Sequence, residues 1–178
     1  MAYNFPDNLI YLGIQTASSS ADLSFTSLIT SNWTTYYVLI RNLLPATDGT
    51  TLNMTFSNDN GSSYLSANYK YTRFQYPSTG TTAAVGSTSA ANCELLTLAS
   101  NGASAGISGG MYFYNLTSAS VPPYYHGQLV HYNNASASVN VQVGGMNTDT
   151  TGINALKWAF SSGNIASGTI TLYGVQEP

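Results

Sequence analysis

Charge is the scarcest thing in this sequence. Asp, Glu, Lys and Arg together make up 6% of its 178 residues, against about 25% in an ordinary soluble domain. The basic residues number four, Arg41, Lys70, Arg73 and Lys157, and the net charge is −3. Nucleic-acid binding rests on several Lys or Arg contacts to phosphate, so a few scattered cations exclude a DNA- or RNA-binding role. Disorder is excluded as well: disordered chains are charge-rich and aromatic-poor, whereas this one carries 14 Tyr, 6 Phe and 2 Trp. A surface with so little charge dissolves poorly as an isolated monomer. Burial of part of that surface in an assembly is therefore expected.

Cysteine is nearly missing too. Cys93 stands alone, so no internal disulfide can form, and a small buried thiol is the expectation. Long apolar runs are lacking: "YYVLI" stops at Arg41, far short of the ~20 residues that span a bilayer, so no membrane insertion is expected. The start, "MAYNFPDNLIYLGIQ", has neither a cationic n-region nor an apolar core, and we expect no secretory leader. Asn-x-Ser/Thr triplets begin at Asn32, Asn53, Asn60, Asn115 and Asn134. They occur at about the chance frequency for this composition and carry no expectation of glycosylation.

Helical periodicity is the third absence. Short runs rich in Tyr, Val, Ile, Leu and Thr recur between Gly, Asn, Ser and Asp clusters, the pattern of an all-β domain. Strands are predicted from Leu9, Leu23, Thr35, Thr51 and Asn68, and then from Cys93, Gly110, His126, Ser138, Ile153 and Gly168. In "NYKYTRFQ", Tyr69, Tyr71, Arg73 and Gln75 take one face and Lys70, Thr72 and Phe74 the other; Val139, Val141 and Val143 share a face further on. Period-two alternation marks half-buried strands. The fold class is thus an all-β, antiparallel β-sandwich, jelly-roll-like, with residues 1–178 forming a single domain. The low-complexity stretch 77–92, "PSTGTTAAVGSTSAAN", is predicted to be a long loop in that domain, docking against a neighbour where it is ordered. Asn60-Gly61 reads as a hairpin turn. Near the end, "SSGN" reads as the turn of a final hairpin, with Leu156, Trp158 and Phe160 on one face and Ile170 and Leu172 opposite them across the core.

Chemistry has little to stand on. His126 and His131 are five apart on a predicted strand, so their rings point to opposite faces and share no metal. The loop around Gly61 fails as an EF-hand, because Phe56 and Ala67 fall at ligand positions. A looser calcium site would need Asp48 and Asp59. Glycoside hydrolysis requires two facing carboxylates, and Glu94 is the one acid that opens a strand. The "GISGG" stretch reads as part of a loop of small residues, not as the strand-to-helix turn that a "GxSxG" nucleophile elbow requires. We expect no enzyme, no catalytic or metal residue and no cofactor. Tyr124, Tyr125 and His126, following Pro122 and Pro123, read as an aromatic loop tip, either a sugar-stacking surface or a packed subunit contact.

One resemblance is specific. "INALKWAFSSGNIASGTITLYGV" resembles the C-terminal signature of a β-rich module that recurs in virion proteins of tailed bacteriophages. "PATDGTTLNMTFSNDNGSSYLSANYKY" is similar to the module's earlier segment, as is the strand start at Cys93-Glu94. The resemblance covers most of the chain and implies an oligomeric phage virion component without fixing its place on the particle; we expect it on the outer surface, synthesised in the host cytoplasm. It brings no catalytic or ligand-binding residue. About eight residues precede the first predicted strand, which leaves no fibre-type anchor and favours a capsid decoration or cement protein, a homotrimer docked on the capsid shell. The alternative is a tail fibre or spike-tip module that binds a host surface glycan.

Overall fold

The computed structural model describes residues 8–176. Twelve strands fill it, all joined antiparallel. The first half holds β1 (Asn8–Thr16), β2 (Leu23–Thr26), β3 (Thr35–Pro45), β4 (Thr50–Ser57), β5 (Tyr69–Pro77) and β6 (Ala83–Ala90). The second holds β7 (Cys93–Ala99), β8 (Ile107–Tyr114), β9 (Tyr124–Tyr132), β10 (Ser138–Asn147), β11 (Ala155–Phe160) and β12 (Ile165–Gln176). Two sheets result. The larger runs β1-β12-β3-β8-β9-β10-β5-β6 and the smaller β2-β11-β4-β7.

That order contains a jelly roll. The quartet β1-β12-β3-β8 faces β2-β11-β4-β7, and successive strands pass between the two sheets as they do in a double Greek key. Two hairpins are inserted into it, β5-β6 and β9-β10, and both add to the same edge of the larger sheet. They double its width without adding a strand to the smaller one.

The core lies between the sheets and follows the alternation read from the sequence. Tyr69, Tyr71 and Arg73 are buried while Lys70, Thr72 and Phe74 face out. Trp158 is fully buried and meets Phe25 and Phe113 edge-on, at centroid distances of 6.1 and 6.3 Å. Ile170 and Leu172 are buried on the opposing sheet, as expected. Buried tyrosine hydroxyls anchor loops. Tyr36 donates to the Thr30 carbonyl at 2.6 Å and accepts from the Thr30 amide at 2.7 Å, while Tyr69 donates to the Leu65 carbonyl at 3.3 Å and accepts from the Phe56 amide of β4 at 2.7 Å. Under the inserted hairpins, Arg73 pairs with Glu94 of β7 at 3.3 Å and Gln75 bonds Thr97.

Three expectations are corrected. Residues 83–90 form a strand, not part of a loop spanning 77–92: β6 is zipped to β5 by backbone bonds, which do not need apolar side chains. Asn60 and Gly61 both adopt positive φ, 63° and 85°, so the turn is real, yet it carries the chain from the small sheet to the large one. Asp59 closes that turn by accepting from Ser57, from the Ser63 amide and from the Ser63 hydroxyl. Likewise β11 and β12 are not a paired hairpin. The turn at "SSGN" passes between sheets, β11 pairing with β2 and β4, and β12 with β1 and β3.

Candidate functional site

On a β-strand every second side chain leaves the core. On the large sheet those outward positions hold rings in register. Tyr11 lies opposite Tyr173, Tyr173 opposite Tyr37, Tyr37 opposite Tyr112, and Tyr112 opposite His126. The result is one straight row of aromatic rings across β1, β12, β3, β8 and β9. At ~4.8 Å per strand step the row spans roughly 19 Å. Neighbouring rings touch: centroids are 6.2 Å apart for Tyr11–Tyr173 and for Tyr37–Tyr173, 4.8 Å for Tyr37–Tyr112 and 5.7 Å for Tyr112–His126. Tyr114 stacks on His126 as well, and its hydroxyl lies 3.0 Å from His126 Nε2.

Beyond His126 the row is interrupted by a glycine. Gly144 sits opposite His126 on one side and Thr72 on the other. Its bare backbone opens a notch where two depressions meet. The larger, about 950 Å³, runs over Gly110, Gln128, Asn140 and Gln142, between the Tyr37–Tyr112 rings and Phe74. Phe74 stacks with Tyr76 at 6.5 Å, and both are exposed. The smaller, about 540 Å³, is walled by Tyr114, Tyr124, His126, Met146 and Lys70. These volumes fall in the range of small-ligand sites.

The floor of the larger groove is amide chemistry. Gln128 Nε2 donates to Asn140 Oδ1 at 3.0 Å, which orients both groups and leaves the Asn140 NH₂ and the Gln128 oxygen to other partners. Gln142 lies beside them, opposite Gln128 and Phe74. Among the described residues the strands of the large sheet carry no Asp or Glu at all.

The sequence-predicted site residues divide by strand parity. Tyr124 and His126 face outward and line the depressions, as a contact surface requires. Tyr125 does not belong with them: it is 2% exposed, on the core face against Phe56 and Phe113. The three residues are the beginning of β9, not a loop tip, so alternation turns the middle one inward. His126 and His131 do lie on opposite faces, the latter buried. Asp48 and Asp59 sit at opposite ends of β4, Asp48 holding the Asn101 amide; they do not converge. Burial pushes the Cys93 thiol up to about 12, so it is chemically quiet. Tyr11, Tyr37, Tyr112 and Tyr173 are the functional candidates that sequence reading missed. Each is a tyrosine at an outward position of its strand, but only the register brings them into one line.

No protein-family model matches the chain, and no curated protein matches it. The resemblance to phage virion modules rests on the segments from Pro45 and Ile153 and on the strand start at Cys93-Glu94.

Proposed function

We propose that this protein is a non-enzymatic recognition module that binds a surface glycan across the outer face of its large sheet, as a receptor-binding component of a bacteriophage particle. The observation that carries this reading is the aromatic row beside an amide-floored groove. Aromatic faces are electron-rich and meet the weakly positive C–H faces of pyranose rings, while Asn and Gln amides offer a donor and an acceptor to neighbouring hydroxyls. A groove with both, already shaped, has little to reorganise on binding. Hydrolysis would need two carboxylates at the bond, and the described strands of this sheet supply none, which favours binding over turnover.

Gly144 provides the test. A Cβ there would meet nothing closer than 3.5 Å, so Gly144→Val is accommodated by the backbone yet fills the notch where the depressions join. The wild type should label defined members of a bacterial surface glycan array, and the variant should lose them at a melting temperature no lower than the wild type's. A wild type that labels no glycan, or a variant that labels as well, overturns the proposal.

A capsid-decorating role is supported by a different feature. The edge strand β1 exposes Leu9, Ile10, Tyr11 and Ile14 by 38 to 58%, an apolar strip suited to contact with another copy, as in a homotrimer, or with a shell protein. Binding to empty capsids in the absence of any array signal would move the assignment there.

A further inference from the structure

Two of the four basic residues, Lys70 and Arg41, stand on the outer face of the large sheet. The other two are committed elsewhere. Arg73 is buried against Glu94, and the Lys157 ammonium sits over the Tyr64 ring at 3.9 Å, on a strand of the small sheet. The acids are segregated the opposite way. Asp22, Asp48, Asp59 and Asp149 lie in loops and Glu94 on β7. A protein with net charge −3 thus keeps one face on which, among the described residues, the full charges are all positive.

Lys70 stands at a particular place on that face. It lies opposite Met146, which lies opposite Tyr124, and it forms one wall of the smaller depression, across the Gly144 notch from His126. No carboxylate among the described residues pairs with it. Its surroundings, Tyr114, Tyr124 and Met146, are largely apolar. An ammonium at the edge of an apolar hollow keeps more of its pull on an anion than one in open water.

We infer that the glycan is anionic: the smaller depression receives a carboxylate or phosphate substituent that pairs with Lys70, while the neutral part of the chain lies in the larger groove and on the aromatic row. This rests on the glycan-binding reading above and names the class of sugar. A carboxylate, as in a uronic or sialic acid, and a phosphate, as in a phosphorylated polysaccharide, present the same chemistry to a lysine, whose compact charge does not demand a planar partner.

The experiment is an array of bacterial surface oligosaccharides in which each acidic member is printed beside its carboxyl-reduced or dephosphorylated counterpart. The wild type should bind the acidic member of a pair about fivefold more tightly, the scale of one partly exposed ion pair, with the preference shrinking in high salt. Carboxylate pairs and phosphate pairs are scored separately, and a preference in either set supports the inference and identifies the source. Lys70→Gln should bring the acidic member down to its counterpart, Lys70→Arg should retain the preference, and Lys157→Gln should not affect it. Equal binding within every pair, or a preference that survives Lys70→Gln, overturns the inference and leaves the glycan-binding reading standing. Absence of binding to every member removes both.

Discussion

The two faces of the large sheet are built from the same kind of residue, alternating along the same strands. Tyr36 is buried and Tyr37 is in the outer row; Phe113 is buried between Tyr112 and Tyr114; Tyr125 is buried between Tyr124 and His126. Inside, rings meet edge-on or tilted and in several directions at once, Phe56 touching Tyr69, Phe113 and Tyr125, and buried hydroxyls such as those of Tyr36 and Tyr69 donate to loop carbonyls. Outside, the rings meet in a single line with one side left to solvent. Alternation alone therefore builds both a core and an exposed aromatic surface. Damage to one need not reach the other.

The largest expected break in that comparison is on the inner side. Trp158→Ala removes a fully buried indole held by Phe25 and Phe113 and should cost roughly 3–5 kcal/mol, as other large-to-small aromatic truncations do. Urea denaturation measures it, and a midpoint close to that of the wild type would show that the interior is not organised around this ring.

Acid should strike the inner face next. His131 lies 2% exposed, and its Nδ1 is 3.3 Å from the Tyr132 carbonyl, which can only accept, so Nδ1 carries the proton. Nε2 is buried without a partner. Burial first, and the nearby Arg73 charge after it, lower the folded pKa from 6.5 to about 4. The unfolded chain then binds a proton that the folded chain refuses. Stability is complete above pH 6.5 and falls as pH drops toward 4, by about 3 kcal/mol in full. A denaturation midpoint that stays level from pH 7 to 4.5 would contradict this, and His131→Phe should flatten the slope. Asp59, whose carboxyl is held down to about 2 by its bonds from Ser63 and Ser57, loses its contribution only at still lower pH.

The smallest break sharpens the comparison to adjacent residues. Gly144 and Gly145 are neighbours on β10, one opening outward and one inward. A Cβ on Gly145 would run into the Lys70 carbonyl, which is backbone, and the Tyr125 hydroxyl. Gly145→Ala should cost about 1–3 kcal/mol, whereas Gly144→Val should leave stability unchanged or raise it by about 0.5–1 kcal/mol through reduced unfolded-state freedom. Similar melting temperatures for the two variants would erase the distinction between faces.

Much of the architecture was legible in the sequence because it follows from alternation. Tyr69, Tyr71 and Arg73 announced one shared face of a half-buried strand, and Trp158 with Ile170 and Leu172 announced a core crossed by two sheets. Pairing was not legible. Asn60-Gly61 signals a turn but not which sheet the chain enters next, and β6 leaves no trace in apolar content because its side chains contribute almost none. The site failed in the same way. Tyr124 and His126 could be picked out locally, but Tyr125 beside them needed the strand's phase, and the row joins residues 11, 37, 112, 126 and 173, whose alignment is a property of register across five strands.

The strand β6 has a further consequence. Its residues are exposed or half-exposed on both faces, and among the described residues its sole strand partner is β5. Of its residues Ala90 packs against the margin of the core, so its opening free energy is set mainly by a single ladder of backbone bonds. The amides of β6 should therefore exchange with solvent by local opening, while those of β3 and β12 wait for global unfolding. The molecule is cooperative at its centre and loosely hemmed along one border, the border into which the groove-forming hairpins were added.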